Sequence, residues 1–209
     1  MLSHAPSRTA ALLLSSALAL GLAGCAATTR TLDIDDPQHY DASYDFSDKK
    51  EIVDVLTKSL ATSPAVARAR GDGQRPVAVI YPVANRTSEH IDTSGITDDI
   101  RNELLNGGEL RFVNRPRRDD LIQEADYQYA GFVAPEQRVA EGRQVGADYV
   151  LSGTLRSIEK SQPAQWRLFR KNLVYYSMTL ELTGLESGEI LWADSVELAR
   201  ELSRPIVRW

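Results

Sequence analysis

The sequence predicts a mixed α+β (α/β) domain: a mixed sheet of four to five strands packed with about four helices. Three observations predict it. Val77-Ala78-Val79-Ile80-Tyr81 is an unbroken apolar run between Pro76 and Pro82, too short for a helix and patterned as a strand buried on both faces. Stretches on either side of it repeat apolar residues at helical spacing. From residue 149 onward the period changes to two, as in an antiparallel meander.

In chain order, Asp48 with Glu51 three residues on reads as a capping box opening the first helix. Ile52, Val55, Leu56 and Leu60 give that helix one apolar face. Gly71, Gly73 and Pro76 break the chain before the Val77 strand. The polar stretch Pro82 to Asp92 is long for a connection within a compact domain, and long loops are often functional. A helix is expected from about Ser94, with Ile96, Ile100 and Leu104 on its inner face and Gly107-Gly108 as its stop. Leu110 to Val113 reads as a short strand. Pro116 suits the first turn of a third helix, with Leu121, Ile122 and Ala125 on its apolar side. A fourth helix is expected from Pro135 to Val145, ending at Gly146.

The remaining strands follow from alternation. Tyr149, Leu151, Gly153 and Leu155 alternate with Val150, Ser152, Thr154 and Arg156. Val174, Tyr176, Met178, Leu180 and Leu182 alternate with Tyr175 to Thr183 in the same way. Ser187-Gly188 is the turn into a last strand, Ile190 to Ala193. Helices between the early strands imply parallel crossovers.

The first 24 residues have another character. Arg8 precedes an almost unbroken apolar run from Ala10 to Leu22, the form of a secretory leader. It ends in Leu22-Ala23-Gly24-Cys25, which resembles a bacterial lipobox, and Cys25 is the only cysteine among 209 residues. The expectation is a signal peptide over 1–24, lipid attachment at Cys25, a flexible tether over 25–46 and a globular domain over 47–209. The run is too short to favour a membrane-spanning helix. Ala26 after the cysteine resembles the sorting signal of outer-membrane lipoproteins, facing the periplasm. Loss of the leader removes only Arg8 among the charged residues and takes the net charge from −5 to −6. That sign argues against nucleic acid as a partner. The tether, about 21 residues long, reaches at most about 70 Å at roughly 3.4 Å per residue.

Chemistry of reaction is sparse. His4, His39 and His90 are the only histidines, with no metal-ligand spacing among them. There is no nucleophile elbow or phosphate-binding glycine loop. The acidic cluster Asp33 to Asp36 lacks the glycine and distal glutamate of a calcium loop. Ser152-Gly153-Thr154 lies within a strand pattern. Neither an enzyme, a metal nor a cofactor is expected. Two surface features remain. Arg111, Arg115, Arg117 and Arg118 cluster beside Asp119 and Asp120, either as a self-neutralised face or as a contact for an acidic partner. Trp166 and Arg167, within Gln165 to Lys171, are of types enriched at protein–protein hot spots, or else fold onto the sheet edge.

Pro82-Val83-Ala84-Asn85-Arg86-Thr87, Ile100-Arg101-Asn102-Glu103-Leu104, Phe112-Val113, Gly146 to Leu151 and Ser187-Gly188-Glu189-Ile190-Leu191-Trp192 occur in an order and spacing that resemble the LpoB family. These are outer-membrane lipoprotein activators of a class A bifunctional penicillin-binding protein. The resemblance covers about residues 47–200. It implies a domain similar to the N-terminal domain of TolB and docking on a small periplasmic regulatory domain of the synthase. It points to Glu189 at the hairpin turn and Ser152 on the neighbouring strand, where the family pattern can hold a tyrosine. Asn85, Arg86 and Thr87 match the family loop. Their alternative role is structural, through local side-chain to backbone hydrogen bonds. The short tether departs from the long proline-rich tethers of the family. Two further functions stay open: a structural or assembly component of the envelope, and a module binding peptidoglycan or a small ligand through the Asn85 loop.

Overall fold

The computed structural model describes residues 41–70, 73–140, 144–162 and 169–205. Cys25, the leader and most of the tether lie outside the described residues, as do Trp166 and Arg167. The order of elements is α1 (Phe46–Ala61), α2 (Pro64–Ala69), β1 (Val77–Ile80), β2 (Ala84–Arg86), α3 (Ser94–Asn106), β3 (Arg111–Phe112), α4 (Arg118–Tyr127), β4 (Tyr149–Gln162), β5 (Phe169–Gly184) and β6 (Ile190–Pro205).

The sheet is mixed and six-stranded, in the order β3-β1-β4-β5-β6, with β2 also paired to β4. β1 lies parallel to both β3 and β4. β2 continues along the same edge of β4, its Ala84 beside Thr154 and its Arg86 beside Arg156. β4, β5 and β6 form the antiparallel meander expected from their alternation. The strand count exceeds the expected four or five because three residues within the Pro82–Asp92 loop pair with β4.

Four other expectations are corrected. Asp48 does not cap α1. Asp45 does, accepting from the Ser47 and Asp48 N–H groups, while Asp48 at the third helical position accepts from the Asp45 N–H. The capping box is therefore shifted three residues upstream of the expected one. The buried face of α1 is Ile52, Val53, Leu56 and Leu60, whereas Val55 is exposed. The folded structure also begins before residue 47: Ala42 is buried and Tyr44 packs on the core. Of the helix expected over Pro135–Val145, only a single 3-10 turn at Pro135–Gln137 forms among the described residues.

The core lies between α1, α3 and one face of the sheet. Leu56, Leu60, Ile96, Ile100, Leu151, Leu155, Met178 and Leu180 in it are fully buried. Truncating one such leucine to alanine costs about 2–5 kcal/mol. Gly153 belongs to this face, opposite Leu180. A Cβ there would stand 2.6 Å from the Met178 Cε and 3.1 Å from the Thr179 carbonyl, so any larger residue would have to displace the Met178 methyl and crowd the β5 backbone. At the β5–β6 turn Gly188 has φ +71°, the left-handed region that favours glycine.

α4 is different. None of its residues is buried, and Leu121 and Ile122 are about half exposed. It continues into a π-helical turn, Gln128–Phe132, where Gly131 has φ 98° and Tyr127 stacks on Phe132 at 4.8 Å.

Candidate functional site

Strand alternation sorts the candidate residues by face. The core-facing positions of β5 are Val174, Tyr176, Met178, Leu180 and Leu182. Their partners on β4 are the odd-numbered residues, and on β6 the even-numbered ones. The opposite face is therefore made by Ser152, Thr154, Arg156 and Ile158 of β4, Tyr175 to Thr183 in alternation on β5, and Ala193 to Glu201 in alternation on β6. Its β6 positions are all exposed, and Ile158 is 62% exposed. Across the three strands it runs in rows: Ser152–Glu181–Ala193, Thr154–Thr179–Ser195, Arg156–Ser177–Glu197 and Ile158–Tyr175–Ala199. No described helix packs residues onto these rows in the core cluster.

Ser152 is thus a half-buried residue in the first row of this face, paired with Glu181. Arg86, in register with Arg156, joins the same face and is exposed. Glu189 is exposed in the β5–β6 turn, where the Gly184 N–H donates to its carbonyl at 3.0 Å. Glu189 lies beside the start of β4 and Arg86 beside its middle, about 20 Å apart at about 3.3 Å per strand residue. Ser152 and Arg86 share a face, with Glu189 at the turn beyond it, and the three do not form a compact site.

Asn85 and Thr87 point the other way and hold the loop together. Asn85, in register with the buried Leu155, donates through Nδ2 to the carbonyls of Glu89 at 2.9 Å and Ile91 at 3.2 Å. Its Oδ1 accepts from the Thr87 N–H at 2.9 Å and the Thr87 hydroxyl at 2.7 Å. Their structural role, the alternative weighed from sequence, is what the geometry supports for these two residues.

The loop in turn is clamped by a node that the sequence did not single out. The Tyr176 hydroxyl donates to the Glu89 carboxylate in a short contact, and the Tyr44 N–H donates to the other Glu89 oxygen at 3.2 Å. The Tyr44 ring meets Tyr176 edge-on at 5.7 Å. Burial, then the hydrogen bond to Glu89 and its charge, push the Tyr176 hydroxyl well above the ordinary tyrosine range. Burial, reinforced by the charges of Asp48, Asp45 and Asp99, does the same to Tyr44. Both hydroxyls stay neutral; that of Tyr176 donates to Glu89, while that of Tyr44 is buried without a hydrogen-bond partner among the described residues. One link away, the wholly buried Asp48 pairs with Arg200 of β6. The signals were present in sequence: a tyrosine among leucines in β5, and an arginine at a core-facing position of β6.

Among the described residues, no group of three or more His, Cys, Asp or Glu side chains can hold a metal ion, and no helix is long and apolar enough to cross a membrane. The arginine cluster is partly self-neutralised: Arg117 pairs with Asp120 at 2.9 Å, while Arg115 stacks over the Tyr81 ring at 4.8 Å.

Fold and surface define a mixed α+β domain that offers an extended polar sheet face. The chain belongs to the family of the peptidoglycan-synthase activator LpoB, whose sequence profile matches residues 48–198. It is therefore a regulatory activator of peptidoglycan synthesis rather than an enzyme. The chain is similar to the LpoB C-terminal domain from Escherichia coli, with 18% identity, coverage of 72% of this chain and 98% of that one, and a TM-score of 0.44. The corresponding domain from Salmonella enterica matches at 19% identity over 72% and 98%, with a TM-score of 0.42. A lipoprotein from Neisseria meningitidis matches at 15% identity over 60% and 83%, with a TM-score of 0.37. No curated protein matches.

Proposed function

We propose that this protein is an outer-membrane lipoprotein, anchored through a lipid on Cys25 and facing the periplasm, that binds and activates a class A bifunctional penicillin-binding protein. The regulatory domain of the synthase docks on the open face of β4–β5–β6. The observation that carries the reading is that face itself: Arg86, Arg156, Ser152, Glu181 and Glu197 stand in register on one uncovered surface. Charged groups on an otherwise small-residue sheet set orientation and partner choice by complementary potential. Ser152 leaves room where a larger anchor from the partner can seat. Glu189 extends the contact at the turn. Asn85 and Thr87 support it indirectly, by holding the segment that presents Arg86.

The test uses the mature protein and the periplasmic region of the class A synthase from the same cell. Binding is read by surface-immobilised titration and activation by the rate of glycan polymerisation. Arg86→Glu and Ser152→Arg are expected to weaken binding about tenfold or more with an unchanged melting temperature, because both side chains reach solvent. Absence of binding at high micromolar concentration refutes the function. Intact binding by both variants moves the contact to another face.

A further inference from the structure

The arginines around residue 115 belong to a second concave surface, at the opposite edge of the sheet from β6. A cleft of about 630 Å³ opens between α3 and the 3-10 turn Arg115–Arg117, beside the carboxyl ends of β1 and β3. Arg101, Arg115 and Arg117 line it, and Asp98 is the only acidic lining residue. Its floor is apolar, with Ile80, Leu105 and Phe112 among the lining side chains. On a chain of net charge −5 this is a basic concavity.

The three guanidiniums are not equally engaged. Arg101 is held by Asp98 and Arg117 by Asp120, each at 2.9 Å. Arg115 has its cationic plane laid over Tyr81, which orients the guanidinium and leaves its N–H edge open. Several of the nearby backbone donors are already used. The Val113 N–H donates to Ala78, the Arg115 N–H to Val113 and the Arg117 N–H to Asn114. The Ser94 N–H donates to Asp92 at 2.9 Å, and the Val83 N–H takes the Thr97 hydroxyl at 3.0 Å. A bare phosphate is held chiefly by converging backbone N–H groups, and the Val113, Arg115 and Arg117 N–H groups beside the arginines are engaged within the chain. The cleft offers side-chain guanidinium beside an apolar lining. That combination fits carboxylates carried next to an apolar side chain, because arginine pairs carboxylates bidentately.

We infer that this cleft docks an acidic peptide segment of a protein partner, one apolar side chain on the floor and flanking carboxylates on Arg115 and Arg117. It is a contact surface separate from the open face of β4–β5–β6, and it stands whether or not that face binds a synthase.

The test is fluorescence anisotropy of the full chain in detergent with a fluorescein-labelled peptide, Asp-Glu-Phe-Glu-Asp, and its amide counterpart, Asn-Gln-Phe-Gln-Asn. Expected are saturable, salt-sensitive binding of the acidic peptide and at least about tenfold weaker binding of the amide peptide. Arg115→Ala/Arg117→Ala is expected to weaken the acidic peptide by a similar factor with an unchanged melting temperature, since both side chains are exposed. Equal binding of the two peptides overturns the inference. So does an unchanged dissociation constant in the double variant, or no binding at millimolar peptide. Displacement of the acidic peptide by an equal concentration of inorganic phosphate also overturns it, in favour of a small-anion site.

Discussion

Arg200→Met isolates the buried Asp48 carboxylate and is the sharpest test of how the domain is held together. Asp48 has no solvent exposure, and the Arg200 side chain is 22% exposed. One Asp48 oxygen takes Arg200 and the other accepts from the Asp45 N–H at 3.1 Å. The pair ties the start of α1 to the edge strand β6. Removing one member of a buried pair leaves an uncompensated charge and costs about 3–5 kcal/mol. For a domain of this size each kcal/mol moves the melting temperature by about 2–4 °C. The variant should therefore melt roughly 6–20 °C lower at neutral pH. The pH dependence gives a second reading. Burial raises the Asp48 pKa above its ordinary value even in the native protein, while the Asp45 N–H and Arg200 lower it. A raised carboxyl contributes stability that is fully present below its unfolded pKa and lost as pH rises through its folded pKa. Removal of Arg200 takes away a lowering influence, so the folded pKa rises further. The deficit should be largest at neutral pH and shrink as pH falls into the carboxylate range. Asp48→Asn combined with Arg200→Met keeps an acceptor for the Asp45 N–H without the charge, and should recover at least half of the loss. Urea denaturation at several pH values, followed by circular dichroism, measures all three proteins. A deficit below about 1 kcal/mol, or one independent of pH, refutes the reasoning.

Two further outcomes are expected. Tyr176→Phe removes the hydroxyl that donates to Glu89 and should lower stability by about 1.5–3 kcal/mol, the range for hydrogen bonds to charged groups; limited proteolysis should cut first near residues 41–45, which the same carboxylate helps to hold. Cys25→Ser should abolish lipid labelling and shift the protein from the membrane to the soluble fraction, with globomycin blocking processing of the native chain but not of the variant.

The parts of the fold legible in the sequence are those where burial dictates the residue. Val77 to Ile80 had no polar break because both faces of β1 are covered, and Val174 to Leu182 alternated because only one face of β5 is. Where burial relaxes, the pattern fades. The sequence from Asp194 to Arg204 holds Ala, Leu, Glu and Arg, which are good helix formers; it is a strand because β5 supplies a ladder along its whole length. β2 is three residues long and owes its form to β4. α1 was seen but entered late, since Asp48 is as good a capping residue as Asp45 and only the upstream packing of Tyr44 decides between them. The helix expected from Pro135 does not form beyond one turn because the described residues around it, such as Val139 and Val145, stay exposed and have no core to pack against. Of the proposed docking face, Arg86 and Ser152 were named from the sequence, but their common face was not, since it depends on the parallel register of β2 with β4. Asn85 and Thr87 stood out for the fixed turn they build rather than for exposure.

The open sheet face also limits the kind of contact it can make. An uncovered three-stranded surface with a long edge strand invites aggregation unless its side chains oppose it. Here β6 offers Ala193, Ser195, Glu197, Ala199 and Glu201, and β4 offers Arg156, so the face is small, polar and charged except around Ile158 and Tyr175. Such a surface gains little from desolvation. It selects a partner by the placement of opposite charges, which favours fast association and a complex weakened by salt. The proposed lipid tether would add to that balance, because confinement at one end raises effective concentration without any added contact. Under the proposed function, strong apolar burial at the same face would hold the activator on one synthase, whereas a charge-matched face would let it leave and engage the next.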